Sequence, residues 1–200
     1  MKKVFICIIL FLCIALGLHA QNTGSKFSVF YSFGLVNSLS MSEYFPDNSS
    51  SCTLAGVYEP HYDYFDDTPV LSVGADLSIG RRVCFGVDMS WNRIGADAYD
   101  GITGGNLGNC SINQFSLVPS VKVNWAVGKR GKFYSGLEAG VTALMISNYD
   151  GASSFRTKIA LGLIPIGLRL EVTKTGLYLF GEAVSSTRVA GTRIGLGYEF

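Results

Sequence analysis

The chain has 200 residues, a formal net charge of +1, 48% hydrophobic residues, 24 glycines and five cysteines. That apolar content excludes a disordered chain, and the near-neutral balance excludes a polyanion-binding domain, so no nucleic acid is expected as a partner. The length suits one domain, and abundant glycine among apolar residues suits a tightly curved sheet.

Met1–Ala20 has a basic start at Lys2 and Lys3, an unbroken apolar run from Val4 to Leu18 and small residues near its end. These are the three regions of a secretory signal peptide cleaved after Ala20, which implies export through the general secretory route. A retained helix is the competing reading, but the run is about 15 residues against the roughly 20 needed to cross a bilayer. Residues 21–200 then form the folded domain, with 14 basic against 15 acidic side chains.

From residue 26 onward no apolar period of 3.6 is sustained, whereas period-two alternation recurs between turn signals, so the fold class is all-β. Eight strands are predicted, at Lys26–Val36, Pro69–Ile79, Val83–Trp91, Ile112–Val127, Phe133–Ile146, Phe155–Val172, Leu177–Ser185 and Val189–Phe200. In the second, Leu71, Val73, Ala75, Leu77 and Ile79 share a face against Ser72, Gly74, Asp76 and Ser78. In the fourth, Phe115, Leu117, Val121, Val123 and Trp125 oppose Ser116, Ser120, Lys122 and Asn124. An apolar face backed by Gly, Ser and isolated charges is the dyad of an eight-stranded antiparallel up-and-down transmembrane β-barrel. A soluble sandwich with its apolar face inward shares the alternation; the signal peptide favours the barrel.

The sixth strand changes parity. Ile159, Leu161 and Leu163 lie on one phase and Ile166, Leu168 and Leu170 on the other, with Pro165 at the switch, so a β-bulge is predicted within Leu163–Ile166. Parity then points Asp76, Asp88, Lys122, Glu138, Lys158, Arg169, Glu171, Glu182 and Arg193 into the interior, with Glu199 beside them. An eight-stranded barrel has an interior that side chains can fill, so these charges read as a paired plug, with a narrow ion path as the alternative.

Connections alternate in length. The short ones, Gly80-Arg81-Arg82, Gly128-Lys129-Arg130-Gly131-Lys132 and Thr173-Lys174-Thr175-Gly176, are all basic. The long ones fall at 37–68, 92–111 and 147–154, with a short fourth near 186–188, which matches long outward loops and short periplasmic turns. The first long loop carries acids without Lys or Arg and clusters Tyr58, Glu59, His61, Tyr62, Asp63, Tyr64, Asp66 and Asp67, the mixture of a candidate surface-binding loop. His61 has no fixed serine and carboxylate partners in the pattern, and no phosphate cradle or metal spacing occurs, so no catalytic, cofactor or metal site is expected. With Cys7 and Cys13 removed by processing, Cys52 and Cys110 fall in outward loops and form the candidate disulfide, while Cys84 faces inward as a small filler.

The final strand, Gly191 to Phe200, alternates strictly and ends Tyr198-Glu199-Phe200. Its aromatic end, with Tyr198 and Phe200 on one face, resembles the carboxy-terminal insertion signal of bacterial outer-membrane barrels. With the signal peptide, the eight alternating segments and the long outward loops, the chain resembles the small OmpA/OmpX-type outer-membrane β-barrel proteins, and Ala20-Gln21 resembles the start of exported barrels in Bacteroidetes. The resemblance implies an integral outer-membrane location, contact with outer-membrane lipids, and handling by barrel-assembly machinery and periplasmic chaperones. Activity is implied less sharply, because such barrels serve as adhesins, membrane organisers, small pores and a few lipid-modifying enzymes. The favoured expectation is a non-enzymatic barrel presenting surface loops to an unknown extracellular ligand. A narrow porin and a lipid-modifying enzyme are the alternatives.

Overall fold

The computed structural model describes residues 25–34, 61–100 and 103–200, with residues 61–67 described by backbone alone. The described residues form nine strands: β1 Lys26–Gly34, β2 His61–Asp67, β3 Val70–Ile79, β4 Val83–Tyr99, β5 Asn106–Val127, β6 Gly131–Ser147, β7 Ser153–Glu171, β8 Leu177–Ser186 and β9 Ala190–Glu199. All pairings are antiparallel. From β3 to β9 each strand pairs with the next, β1 pairs with β3, and β9 returns to β1, so eight strands close a ring. β2 continues β3 along the edge of β4, after a break at Thr68-Pro69. Pro69 has no N–H to offer the ladder, and Thr68 repairs the gap: its N–H donates to Arg93 O at 3.0 Å, and Arg93 N donates to its hydroxyl at 2.7 Å.

The two faces separate as the alternation predicts. Val87, Leu117, Val121, Leu137, Ile159, Leu179 and Leu196 are exposed on the outside, while Ser72, Asp88, Ser116, Lys122, Glu138 and Glu182 are buried inside. An inside-out sheet of this kind is stable only where hydrocarbon meets its outer face, and closure leaves the spanning part no unpaired edge there. Aromatic rings mark both ends of the apolar belt. Phe33, Trp91 and Phe115 stand in one cross-strand row with Leu71 toward the outer end. At the other end Trp125 stacks on Phe133 at 5.3 Å, and Tyr198 meets Phe200 at 4.9 Å.

Lumen glycines make room for rings. A Cβ on Gly167 would sit 2.3 Å from Tyr134, and one on Gly197 would sit 2.2 Å from Tyr178. The bulge falls where the parity switch put it: register on the β8 side shifts between Leu163 and Ile166, and the Ser135 hydroxyl donates to Pro165 O at 2.6 Å.

Strand length departs from expectation. β1, β3, β8 and β9 have 9 or 10 residues, about what a tilted strand needs to cross a bilayer. β4, β5, β6 and β7 have 17, 22, 17 and 19 residues, and their surplus lies at the outer end. The connection expected over 92–111 therefore contracts to 100–105, because Ile94, Ala96 and Ala98 on β4 continue the inward face against Cys110 and Ile112 on β5. The connection expected over 37–68 likewise gives up its last part to β2.

Candidate functional site

The lumen is built in three storeys. At the end where the short turns lie, Glu199 collects three cations: Lys26 at 2.5 Å, Lys132 at 3.5 Å, and Arg169. The Arg169 guanidinium also lies 3.5 Å over the Tyr178 ring, so this mouth is closed by stacked and paired side chains.

At mid-height two arginines cross the barrel. Arg193 donates from Nε to Glu182 Oε2 at 2.6 Å, from Nη1 to Asp88 Oδ2 at 2.9 Å and from Nη2 to Glu138 Oε1 at 2.9 Å. Arg188 takes the remaining oxygens, Asp88 Oδ1 at 3.2 Å and Glu138 Oε2 at 2.8 Å, and donates to the Ser90 hydroxyl at 3.0 Å. Asp88 and Glu138 thus each bridge both guanidinium groups. Lys122 donates to Asp76 at 3.0 Å and lies 3.7 Å from Glu182, which also accepts from the Tyr134 hydroxyl at 2.7 Å. The network is continuous from Asp76 to Arg188 and spans six strands and a turn. Arg188 and Arg193 are each 1% exposed, so the pairing that burial demands is met geometrically. Between this plug and the mouth lies a cavity of about 30 Å³ lined by Phe30, Asp76, Cys84, Lys122, Tyr134 and Tyr178, room for about two waters.

Above the plug the inner face becomes apolar. Ile94, Ala96, Ala98, Cys110, Ile112, Leu144 and Ile146 form one buried cluster on β4, β5 and β6.

Of the interior charges expected from parity, Asp76, Asp88, Lys122, Glu138, Arg169, Glu182 and Arg193 are buried in the lumen, and Lys158 and Glu171 are half-buried. Arg188 escaped the parity reading because it lies in a connection, not a strand. The β8–β9 turn folds over the lumen: Ser186 N donates to Val189 O, and the Ser186 hydroxyl accepts from Val189 N at 2.9 Å. Val189 packs into a cluster with Val70, Tyr134, Ile164 and Val184. A Cβ on Gly34 would sit 2.8 Å from Val189, so glycine there admits the turn.

The candidate binding loop is corrected in part. His61, Tyr62, Asp63, Tyr64, Asp66 and Asp67 lie in β2, paired with Ile94–Tyr99 of β4, because the β4 extension offers a ladder for them. Tyr58 and Glu59 lie outside the described residues. Cys110 is also not in a loop: it sits in β5, buried and free, and its expected partner Cys52 lies outside the described residues. Cys84 is inward and buried as expected.

The ring is the eight-stranded up-and-down barrel that the OmpA/OmpX resemblance implies. Among solved structures, the chain is similar to Ail, the attachment invasion locus protein of Yersinia pestis, crystallised with the heparin analogue sucrose octasulfate: 14% identity over 88% of this chain and 97% of that one, with a TM-score of 0.46. A second Ail structure gives 12% identity and the same TM-score. Neisserial surface protein A gives 16% identity over 88% of this chain and 96% of that one, also at 0.46. No protein-family model matches the chain, and no curated protein matches it.

A raised wall completes the site. β8 ends at Ser186 opposite Gly162, so β7 from Ser153 to Leu161 rises past β8 and pairs only with β6 among the described residues. Leu161 turns its backbone groups toward the β8 side, where Thr187 N donates to its carbonyl at 3.0 Å. By antiparallel alternation, Phe155, Thr157 and Ile159 turn theirs to the same side, which no described strand covers. Phe155 and Ile159 are exposed.

Proposed function

We propose that the protein is a non-enzymatic integral barrel of the bacterial outer membrane that acts by contact at its outer rim, with the lumen as a rigid plug and not a conduit. The observation that carries this reading is the Arg188–Arg193 pair, which fills the mid-lumen against Asp88, Glu138 and Glu182. Moving an ion past it requires breaking several charge-assisted hydrogen bonds at once. The apolar belt and its aromatic rows support the membrane location, and Met1–Ala20 supports export.

At the rim, the side of β7 that no described strand covers supports an extended segment of a partner as the contact, since such a ladder recruits a strand by main-chain hydrogen bonds. Planar-bilayer recording of purified protein tests the reading: a sealed bilayer without discrete steps is expected, and reproducible single-channel steps overturn it in favour of the narrow porin. Displayed on cells, the Phe155→Lys variant is expected to keep its barrel and lose adherence.

A further inference from the structure

The three turns at the end opposite the raised wall carry Arg81, Arg82, Lys129, Arg130 and Lys174 and no acidic residue. All five side chains are exposed, and none is held in an ion pair among the described residues. The turn backbones are nonetheless pinned: Asn124 Nδ2 donates to Arg81 O at 3.0 Å, Asn124 N to Arg82 O at 2.7 Å, and Glu171 N to Arg130 O at 2.8 Å. Among the described residues of the opposite connections, the charges are the half-buried Asp100, the exposed Asp150 and the buried Arg188. The described turns at this rim therefore form a ring of cations.

That ring sits at a defined depth. Lys129 and Arg130 are only a few residues from the stacked pair Trp125 and Phe133, and Arg82 directly precedes β4. Interfacial aromatics lie at the headgroup level, so basic side chains one short turn beyond them reach lipid phosphates and little further. Paired side chains at the mouth, Lys26, Lys132 and Arg169, already have Glu199; the five turn cations pair with no carboxylate among the described residues.

We infer that this rim is a docking surface for anionic phospholipid headgroups of the periplasmic leaflet, which the barrel gathers around its turns. The inference rests on the outer-membrane reading above, and it names the partner of the rim that reading leaves without a role. Phosphate oxygens accept from Arg and Lys, and the clustered charge favours lipids with a net negative headgroup over zwitterionic ones. A more distant polyanion such as the cell wall fits less well, because the turns are too short to project beyond the headgroup layer.

The two tryptophans of the chain give the test a built-in control. Trp91→Phe leaves Trp125 beside the basic rim, and Trp125→Phe leaves Trp91 at the other end. Each variant is reconstituted in phosphatidylcholine vesicles containing chain-brominated phosphatidylcholine or chain-brominated phosphatidylglycerol at equal fraction. Both indoles are expected to be quenched by brominated phosphatidylcholine, and absence of that quenching would sink the membrane-barrel reading itself. Brominated phosphatidylglycerol is expected to bind about five-fold better at Trp125, roughly the contribution of one near-surface basic residue, with no preference at Trp91. The preference should vanish when Arg81, Arg82, Lys129, Arg130 and Lys174 are all changed to Gln, and in about 1 M salt, where the screening length falls to about 3 Å. Equal quenching at Trp125 by both lipids overturns the inference, as does a preference that survives the five substitutions. Equal quenching combined with charge-dependent retention on insoluble peptidoglycan would assign the rim to the cell wall instead.

Discussion

Single residues in this barrel fall into two energetic regimes. Arg193 is buried and satisfies three carboxylates, so Arg193→Ala strands Asp88, Glu138 and Glu182 with one fewer cation in a dry site. A loss of about 3–5 kcal/mol is expected from breaking such a pair from one side, measured by urea unfolding in reconstituted vesicles. Lys26 also pairs with a carboxylate, but its side chain is 57% exposed; Lys26→Ala should cost under about 1 kcal/mol by the same measurement. On the outer face, Leu137 is 64% exposed to the apolar belt, and Leu137→Arg is expected to cost about 2–4 kcal/mol near mid-membrane. A smaller loss for Arg193→Ala than for Lys26→Ala would mean that the lumen is wet and the network ornamental. The buried thiols of Cys84 and Cys110 should resist alkylation in the folded barrel and react on unfolding.

At the scale of elements, the bulge in β7 sets which way its lower half faces. Ser135 holds Pro165 O, and past the shift Arg169 points into the mouth while Leu168 and Leu170 take the outside. Deleting Pro165 removes the extra residue and would turn Arg169 and Glu171 toward lipid, so the chain should fail to give the heat-sensitive folded band in electrophoresis. Deleting Thr103 from the connection between β4 and β5 should leave that band intact.

This bulge was legible in the sequence because period-two alternation reports a one-residue insertion directly. The inward and outward faces were legible for the same reason. The extensions of β4 and β5 were not: Gly95, Asp97, Asn109 and Asn113 depress strand propensity, and what extends the strands is burial of the alternate residues Ile94, Ala96, Cys110 and Ile112. β2 was hidden likewise, since a ladder offered by β4 outweighs an acid-rich composition. Arg188 left no periodic signal, because a turn side chain takes its direction from tertiary packing, here the seating of Val189 beside Gly34.

At the scale of the whole molecule, a closed ring means that no strand can peel away without breaking ladder bonds on both sides. The protein should therefore stay folded in unheated detergent and change mobility on boiling; one mobility under both conditions would contradict the ring. The position of Arg188 adds a condition on how the ring is completed. Its hydrogen bonds reach back 50 residues to Glu138 and 100 to Asp88, and Arg193 on the same hairpin reaches 55 and 105. Until the last hairpin arrives, those earlier carboxylates have no arginine to meet. Chain completion is thereby checked by pairing: a product cut before β8 would leave Asp88 and Glu138 without the two guanidinium groups that bridge them, so only chains that include the last hairpin become locked.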